Sequence, residues 1–485
     1  MSVAADGNGQ LEYREALSHG FDTAESREQV AESILRDAEY LQIDVVRGMV
    51  TQAIANPAAD DQRSTAVVAD RSRNPLGHAD TCANVFHRSY DAPLCPCSRR
   101  GRVLRVMSST IQLLRDLVSI DSVNPSLVRG ARGEAAAAQR IAAELMSIGL
   151  DVDITEVAPG RPNVVGVLEG RASGPALMFC GHIDTVGVIG MERPFEPVER
   201  EGRLYGRGSQ DMKGGVAAMI AAARVIAESG GLAGGRLLVA AVIDEEHASL
   251  GADALVTRFR ADAGVVTEPT DLDIAVAHKG FQWVTVETRG RAAHGSRPLE
   301  GRDAIVRMGR VLTAIEALDR RLQSGRAHPL LGTASLHASL ISGGRELSSY
   351  PDECVLQMER RTLPGESERV ALDEVDAILG TIRRDDASFE GAATLTFGRQ
   401  PYEIGTDNPL PDMLADAASL AGHTPKRVGM TFWTDAAILG AAGIPSVLFG
   451  PGGAGLHSTE EYVLVRDVEI CRDALVALAR AFCRT

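Results

Sequence analysis

Residues 175–185 read PALMFCGHIDT, and no polar side chain interrupts the run from Ala176 to Cys180 before Gly181, His182, Ile183 and Asp184. A run this short and this apolar is expected as a strand covered on both faces, the kind found in parallel sheets with helices on either side. In open α/β sheets ligands bind beyond the carboxyl ends of such strands. His182 and Asp184 stand two apart, so on extended chain they point the same way. The strand thus delivers ligand-type side chains to one edge of a sheet.

Other stretches repeat the pattern. LLVAAVI leads into Asp244, Glu245, Glu246 and His247; GVVT leads into Glu268; SVLFG leads through PGGAGL into His457. GRGSQDMKGG sets Asp211 in a glycine-rich turn just ahead of a helix. Taken singly, an acidic run is a solvated face and an aspartate before a helix is a cap. Taken together around one sheet edge, they make a metal site. His182, Asp211, Glu246, Glu268 and His457 mix imidazole with carboxylate, a donor set that suits zinc or a close relative such as cobalt better than calcium or magnesium. Two divalent ions fit better than one. A single carboxylate bridges ions about 3.5 to 4 Å apart, leaving each a histidine and a terminal carboxylate. Asp211, in the most constrained backbone, is the expected bridge. Glu245 and Glu246 are adjacent, so their side chains diverge on extended chain and one of them is free for proton transfer.

Composition narrows the partners. Acidic residues outnumber basic ones, 65 to 50, giving a formal charge of -15, whereas nucleic acid and anionic membrane surfaces call for a basic face. The expected partner is a small molecule. No apolar run approaches the ~20 residues of a membrane span, and the first thirty or so residues lack the basic and apolar regions of a secretory signal. The expected location is the cytoplasm, which the odd number of scattered cysteines, seven, also fits as reduced thiols.

At 485 residues the chain is expected to form two or three domains, at roughly 100 to 200 residues each. Residues 1–106 do not match the rest. Val30, Ile34, Ala38, Leu41, Val45 and Met49 predict one amphipathic helix over 27–54. Residues 56–105 are polar, and their Cys82, Cys95, Cys97, His78 and His87 match no paired-cysteine zinc spacing. The whole segment is expected to be an N-terminal extension, largely disordered or a mis-assigned start, with Met107 as the natural beginning.

Beyond Met107 the pattern predicts helices over 109–120, 134–148 and 215–228, with strands over 152–157, 163–168, 237–243 and 264–267. The order then becomes strand 281–288, helix 301–322, strands 333–341 and 354–361, helix 367–382 and strand 393–397. That is βαββαβ, a ferredoxin-like unit. A helix over 411–421 and a strand over 446–449 resume the first pattern. The expected fold is α/β: a mixed, largely parallel sheet flanked by helices, built from 107–278 and 399–485, with an inserted unit over 279–398.

At these residues the sequence resembles a family of co-catalytic metallohydrolases that includes acetylornithine deacetylases, succinyl-diaminopimelate desuccinylases, aminoacylases and glutamate carboxypeptidases. The resemblance runs over 107–485 through GHIDTV, LYGRGSQDMKGG, DEEH, TEP at 267–269, AAHGSRP at 292–298 and GLHSTEE at 455–461. It implies that His182 and Glu268 hold one metal, Glu246 and His457 the other, and Asp211 bridges. It makes Glu245 the general base and Asp184 the partner behind His182. It also implies that Arg361, in ERRTLPGE, takes a substrate carboxylate. His294 is implied to cross a dimer interface, built by the inserted unit, into the other subunit's active site, which makes the protein a homodimer. One departure stands out: Ser348, Ser349, Tyr350 and Pro351 replace the family's Asn-Val-(Val/Ile)-Pro, so a pair of serines, with Ser349 as the expected substrate contact, stands where an amide helps hold substrate. The implied reaction is hydrolysis of the amide of a small N-acyl amino acid, as in acetylornithine deacylation, with a dipeptidase or carboxypeptidase as the alternative. A binding protein that kept the fold without turnover would have lost a ligand or the base, and all are present.

Overall fold

The run 176–180 becomes part of the middle strand of a nine-stranded sheet in the computed structural model, which describes residues 109–484. The helix expected over 27–54, the Cys82, Cys95, Cys97, His78 and His87 group, and Met107 lie outside the described residues. Helices α1 (109–118) and α2 (Ala135–Ser147) precede strands β1 (Asp151–Ala158), β2 (Arg161–Glu169) and β3 (Ala176–His182). After a hairpin of β4 (Val198–Arg200) and β5 (Arg203–Tyr205) come α3 (Gly214–Glu228), β6 (Arg236–Val242), α4 (Leu250–Arg258), β7 (Ala263–Val266) and β8 (Ile274–His278).

The chain then leaves this sheet for β9 (Gly280–Arg289), α5 (Ala304–Gln323), a small pair β10 (Ala327–His328) and β11 (Gly332–Thr333), β12 (Ser335–Gly343), β13 (Glu353–Thr362), α6 (Val370–Asp385) and β14 (Glu390–Arg399). It returns through β15 (Tyr402–Glu403), α7 (Leu410–Leu420), β16 (Arg427–Met430), α8 (Ala436–Ala441), β17 (Ser446–Leu448), β18 (Gly453–Ala454), β19 (Tyr462–Leu464) and α9 (Val465–Phe482).

Strand order in the larger sheet is β1-β2-β6-β3-β7-β17-β8-β15, with β16 paired to β8. The four central strands β6, β3, β7 and β17 are parallel, while β1–β2, β2–β6 and β8–β15 are antiparallel. Every residue of β3 is buried. Side chains alternate across a strand, so its two faces enter different cores: Leu177 and Phe179 join one cluster with Val216 of α3 and Leu475 of α9, and Met178 and Cys180 join another with Leu255 of α4 and Leu439 of α8. Both faces are thus covered by helices. Gly215 lets α3 close on the end of β7, for a Cβ there would lie 1.9 Å from the Thr267 carbonyl oxygen.

The intervening unit has strand order β12-β13-β9-β14, antiparallel throughout, and its own core of Val284, Val286, Met308, Val311, Leu356 and Val375. The βαββαβ order expected from the sequence is the order found. Helix α5 starts at Ala304 rather than 301 because Asp303 caps it, its side chain accepting from Val306 N at 2.9 Å. Among the described residues β12 pairs only with β13 and so stands at the edge of this sheet, with Leu340 and Ile341 66% and 54% exposed. Where the two sheets meet, Phe281 and Trp283 of β9 stack at 5.3 Å, Trp283 packs on Phe397 of β14 at 5.4 Å, and Phe281 reaches Trp433 at 6.2 Å. Among the described residues no helix is long and apolar enough to cross a membrane.

Candidate metal centre

Because β6, β3, β7 and β17 are parallel neighbours, the residues just past their carboxyl ends emerge at one edge. His182 closes β3, Glu245 and Glu246 come after β6, Glu268 comes after β7, and a loop carries the chain from β17 to His457. Asp211 comes from the turn ahead of α3, where Gly208 sits at φ +79 and a Cβ would lie 2.7 Å from Thr185 Cγ2. The two oxygens of Asp211 face different histidines: Oδ1 is 3.1 Å from His182 Nε2 and Oδ2 is 3.3 Å from His457 Nε2. Glu268 Oε1 lies 3.9 Å from His182 Nε2, and Glu246 Oε2 lies 3.0 Å from His457 Nε2. The five residues fall into two trios, His182–Asp211–Glu268 and Asp211–Glu246–His457, sharing Asp211. Glu245 belongs to neither trio and stands 3.9 Å from His182 Nε2.

Behind the trios lies a buried polar network. His182 Nδ1 is 3.1 Å from the Asp184 carbonyl oxygen and 3.6 Å from its Oδ1. The Asp184 carboxylate accepts from Glu245 N at 3.1 Å, Glu246 N at 3.2 Å and Asn124 Nδ2 at 2.8 Å. Asn124 also donates to Asp244 Oδ1, as does Arg161 at 2.8 Å, while Arg161 pairs with Glu134. Asp244 adopts φ 69, and this left-handed residue turns the chain so that Glu245 and Glu246 part toward different histidines. Sequence reasoning missed Asn124, Arg161 and Glu134; the only local signal was charged or amide side chains inside apolar surroundings. It also missed Asp435, ahead of α8, which is buried, is pushed up to about 7 by that burial, and adds its charge to those felt by Glu245 and Glu268.

Electrostatics test whether the donors fit metal. Burial, then crowding by neighbouring carboxylates, pushes Glu245 and Glu268 well above the usual carboxylate range and Glu246 up to about 7. Burial opposes the charge on Asp211 too, but the His182 and His457 imidazoles outweigh it and hold that carboxyl low. Hydrogen bonds to Asp211 and Glu246 lift His457 to about 10. Glu246 Oε1 is buried with no hydrogen-bond partner among the described residues. The cluster is short of positive charge and holds an unused lone pair, which is what a site for divalent cations requires. The residues present fit a pair of divalent ions.

His294 and Ser349 come together elsewhere, in an antiparallel bridge on the inserted unit. His294 is exposed, and its Nδ1 accepts from Ser296 N at 3.2 Å. Ser349 Oγ donates to Glu346 at 2.6 Å. Arg361 donates to Glu359 at 2.7 Å and lies over Phe281 at 5.6 Å, while its neighbour Arg360 is fully buried between Glu366 and Glu374. Among the described residues no hydrogen bond or ion pair joins His294, Ser349 or Arg361 to the two trios.

A parallel sheet edge that gathers two histidines and three glutamates around a shared aspartate defines a metal-dependent hydrolase. The chain belongs to peptidase family M20/M25/M40, whose sequence profile matches residues 178–481. It is 32% identical over 399 residues to the acetylornithine deacetylase of Myxococcus xanthus, an alignment covering 78% of this chain and 99% of that one. It is 28% identical over 390 residues to the N-formyl-4-amino-5-aminomethyl-2-methylpyrimidine deformylase of Bacillus subtilis, covering 74% and 91%. A solved dinuclear metal binding peptidase of family M20, also from Bacillus subtilis, shares the fold with a TM-score of 0.60 at 16% identity, over 78% of this chain and 99% of that one.

Proposed function

We propose that the protein hydrolyses the amide bond of a small N-acyl amino acid, in the manner of an acetylornithine deacetylase. The observation that carries the reading is the parting of two adjacent glutamates, Glu246 into the His457 trio and Glu245 outside both trios. Bound divalent ions, zinc or alternatively cobalt, supply a water of lowered pKa and polarise the scissile carbonyl. His182 and Glu268 would hold one ion, Glu246 and His457 the other, and Asp211 both. Asp184 fixes the His182 ring and, through the Glu245 and Glu246 amides, the turn that carries them. Glu245 takes the proton of the attacking water and passes it to the leaving amine. Burial holds its carboxyl above the usual carboxylate range.

Arg361, on the inserted unit, would receive the substrate carboxylate in exchange for Glu359. Arg361→Lys should raise KM about tenfold or more for substrates with a free carboxylate, because an ammonium cannot reproduce the two-pronged guanidinium contact. Unchanged steady-state kinetics would return Arg361 to a structural pairing with Glu359. Ser349 would contact substrate with a hydroxyl, a smaller group than an amide. We take 107–278 and 399–485 as the catalytic domain and 279–398 as a dimerisation unit, a reading supported by the apolar sheet edge at Leu340 and Ile341. The extension 1–106 contributes no proposed site residue. Among the described residues Cys180, Cys354, Cys471 and Cys483 form no disulfide, which supports a reducing, cytoplasmic setting.

The deciding experiment compares N-acetyl and N-formyl amino acids with dipeptides and C-terminal peptide substrates on the metal-loaded enzyme. A higher kcat/KM for the acyl amino acids is expected. Faster turnover of the peptides would select the dipeptidase or carboxypeptidase reading in its place.

A further inference from the structure

One buried carboxylate that belongs to neither trio collects four hydrogen bonds beside them. Glu461, 1% exposed, accepts on Oε2 from Arg207 Nη1 at 2.6 Å and Gly208 N at 3.0 Å. Its Oε1 accepts from Gln210 N at 2.9 Å and Asp211 N at 3.1 Å. Three of these donors are main-chain groups of the turn that presents Asp211. Arg207, itself buried, uses its other terminal nitrogen on the Ser458 carbonyl oxygen at 2.8 Å, next to His457. The backbone repeats the tie, with Gly206 N donating to the Glu461 carbonyl oxygen at 3.1 Å.

The two metal positions differ in how they are held. His182 and Glu268 stand at the ends of the central strands β3 and β7 and are almost fully buried, so the sheet itself fixes them. His457 has a side chain 55% exposed and a φ of 59, and it lies in the stretch between β18 and β19. Outside the trio, the hydrogen bonds next to it in the chain run from Ser458 to Arg207 and Gly455. Beyond the β18–β19 pair that frames this loop, the contact between the loop and the Asp211 turn is what sets His457 against Asp211.

We propose that Glu461 and Arg207 form a clamp that positions the second metal site, Asp211–Glu246–His457, by locking the His457 loop to the Asp211 turn. The clamp rests on the two-metal reading of the proposed function. Glu461 and Arg207 are positioning residues, acting through Asp211 and His457. A glutamine at position 461 keeps one acceptor oxygen and aims an NH2 group at two N–H donors, so at least two of the four donors lose their acceptor. The turn and the loop then separate, and the ion that needs both is released first.

The test uses full-length, metal-loaded protein, dialysed against a series of chelator-buffered zinc concentrations, with bound zinc per chain read by elemental analysis. Wild type should lose its two ions at free zinc levels set by each site. E461Q should lose the first-released ion at about 10- to 100-fold higher free zinc, the usual cost of removing a group behind a metal ligand, while the second-released ion is unmoved. R207K should shift in the same direction, because one ammonium cannot reach both the Glu461 carboxylate and the Ser458 carbonyl. A wild type that never holds more than one zinc would overturn the two-metal reading and the clamp together. A wild type with two ions and an E461Q curve superimposed on it would overturn the clamp alone. Equal weakening of both steps, accompanied by a lowered melting temperature, would also overturn it by marking Glu461 as a general structural tie. If E461Q does not fold, R207K is judged by the same criteria.

Discussion

Glu245→Gln should keep both metal ions and nearly unchanged KM while kcat falls about 10²- to 10⁴-fold, the range associated with loss of a positioned general base. The amide matches the carboxylate in shape but cannot take a proton. Glu245 belongs to neither trio, so its replacement leaves all five donors in place. Glu246→Gln is the paired measurement. Glu246 Oε2 stands 3.0 Å from His457 Nε2, so this change should show first as lost metal. Equal metal loss in the two variants would make Glu245 a ligand as well, and greater loss in Glu245→Gln would mean that the roles of the neighbours are reversed.

The second large effect is a restoration. Inactive His294→Ala mixed with inactive Glu245→Gln, under conditions that exchange subunits, should regain activity, each heterodimer reaching about half that of a normal two-fold dimer. Only a heterodimer has one site with both an intact Glu245 and a partner's His294. The chemistry asks for a donor to the oxyanion that develops as the amide is attacked. His294 Nδ1 faces Ser296 N at 3.2 Å and Ser296 Oγ at 2.8 Å, and a proton carried on Nε2 would serve as that donor. A mixture as inactive as its parents would place His294 in its own chain's site or outside catalysis.

The candidate site was legible because most of its residues come at or within a few residues of the end of an apolar run of strand length. His182, Glu246, Glu268 and His457 could be found by asking where such a run ends, and Asp211 by its glycines. The βαββαβ order was legible because α5 and α6 carry a helical period between apolar runs of strand length, although β9 and β13 alternate in burial more strictly than in sequence. The network behind the metal centre was not legible. Arg161 and Asp244 meet across 83 residues, and an ion pair formed at that range leaves no local period. The small elements β8, β15, β16 and α8 are too short to show one. Helix α9 is different: Val468, Cys471, Leu475 and Leu478 recur at three- and four-residue spacing, so it was within reach of pattern reading and was passed over.

The aromatic seam between the two sheets has an optical consequence. Both tryptophans of the chain, Trp283 and Trp433, stand in it, joined through Phe281, and Arg361 lies over that same ring. Indole emission from this protein therefore originates wholly at the junction. A ligand drawn to Arg361, or a swing of the inserted unit against the larger sheet, should change the emission directly and without a label, whereas a disturbance confined to the far edge at β1 and β2 should leave it unchanged.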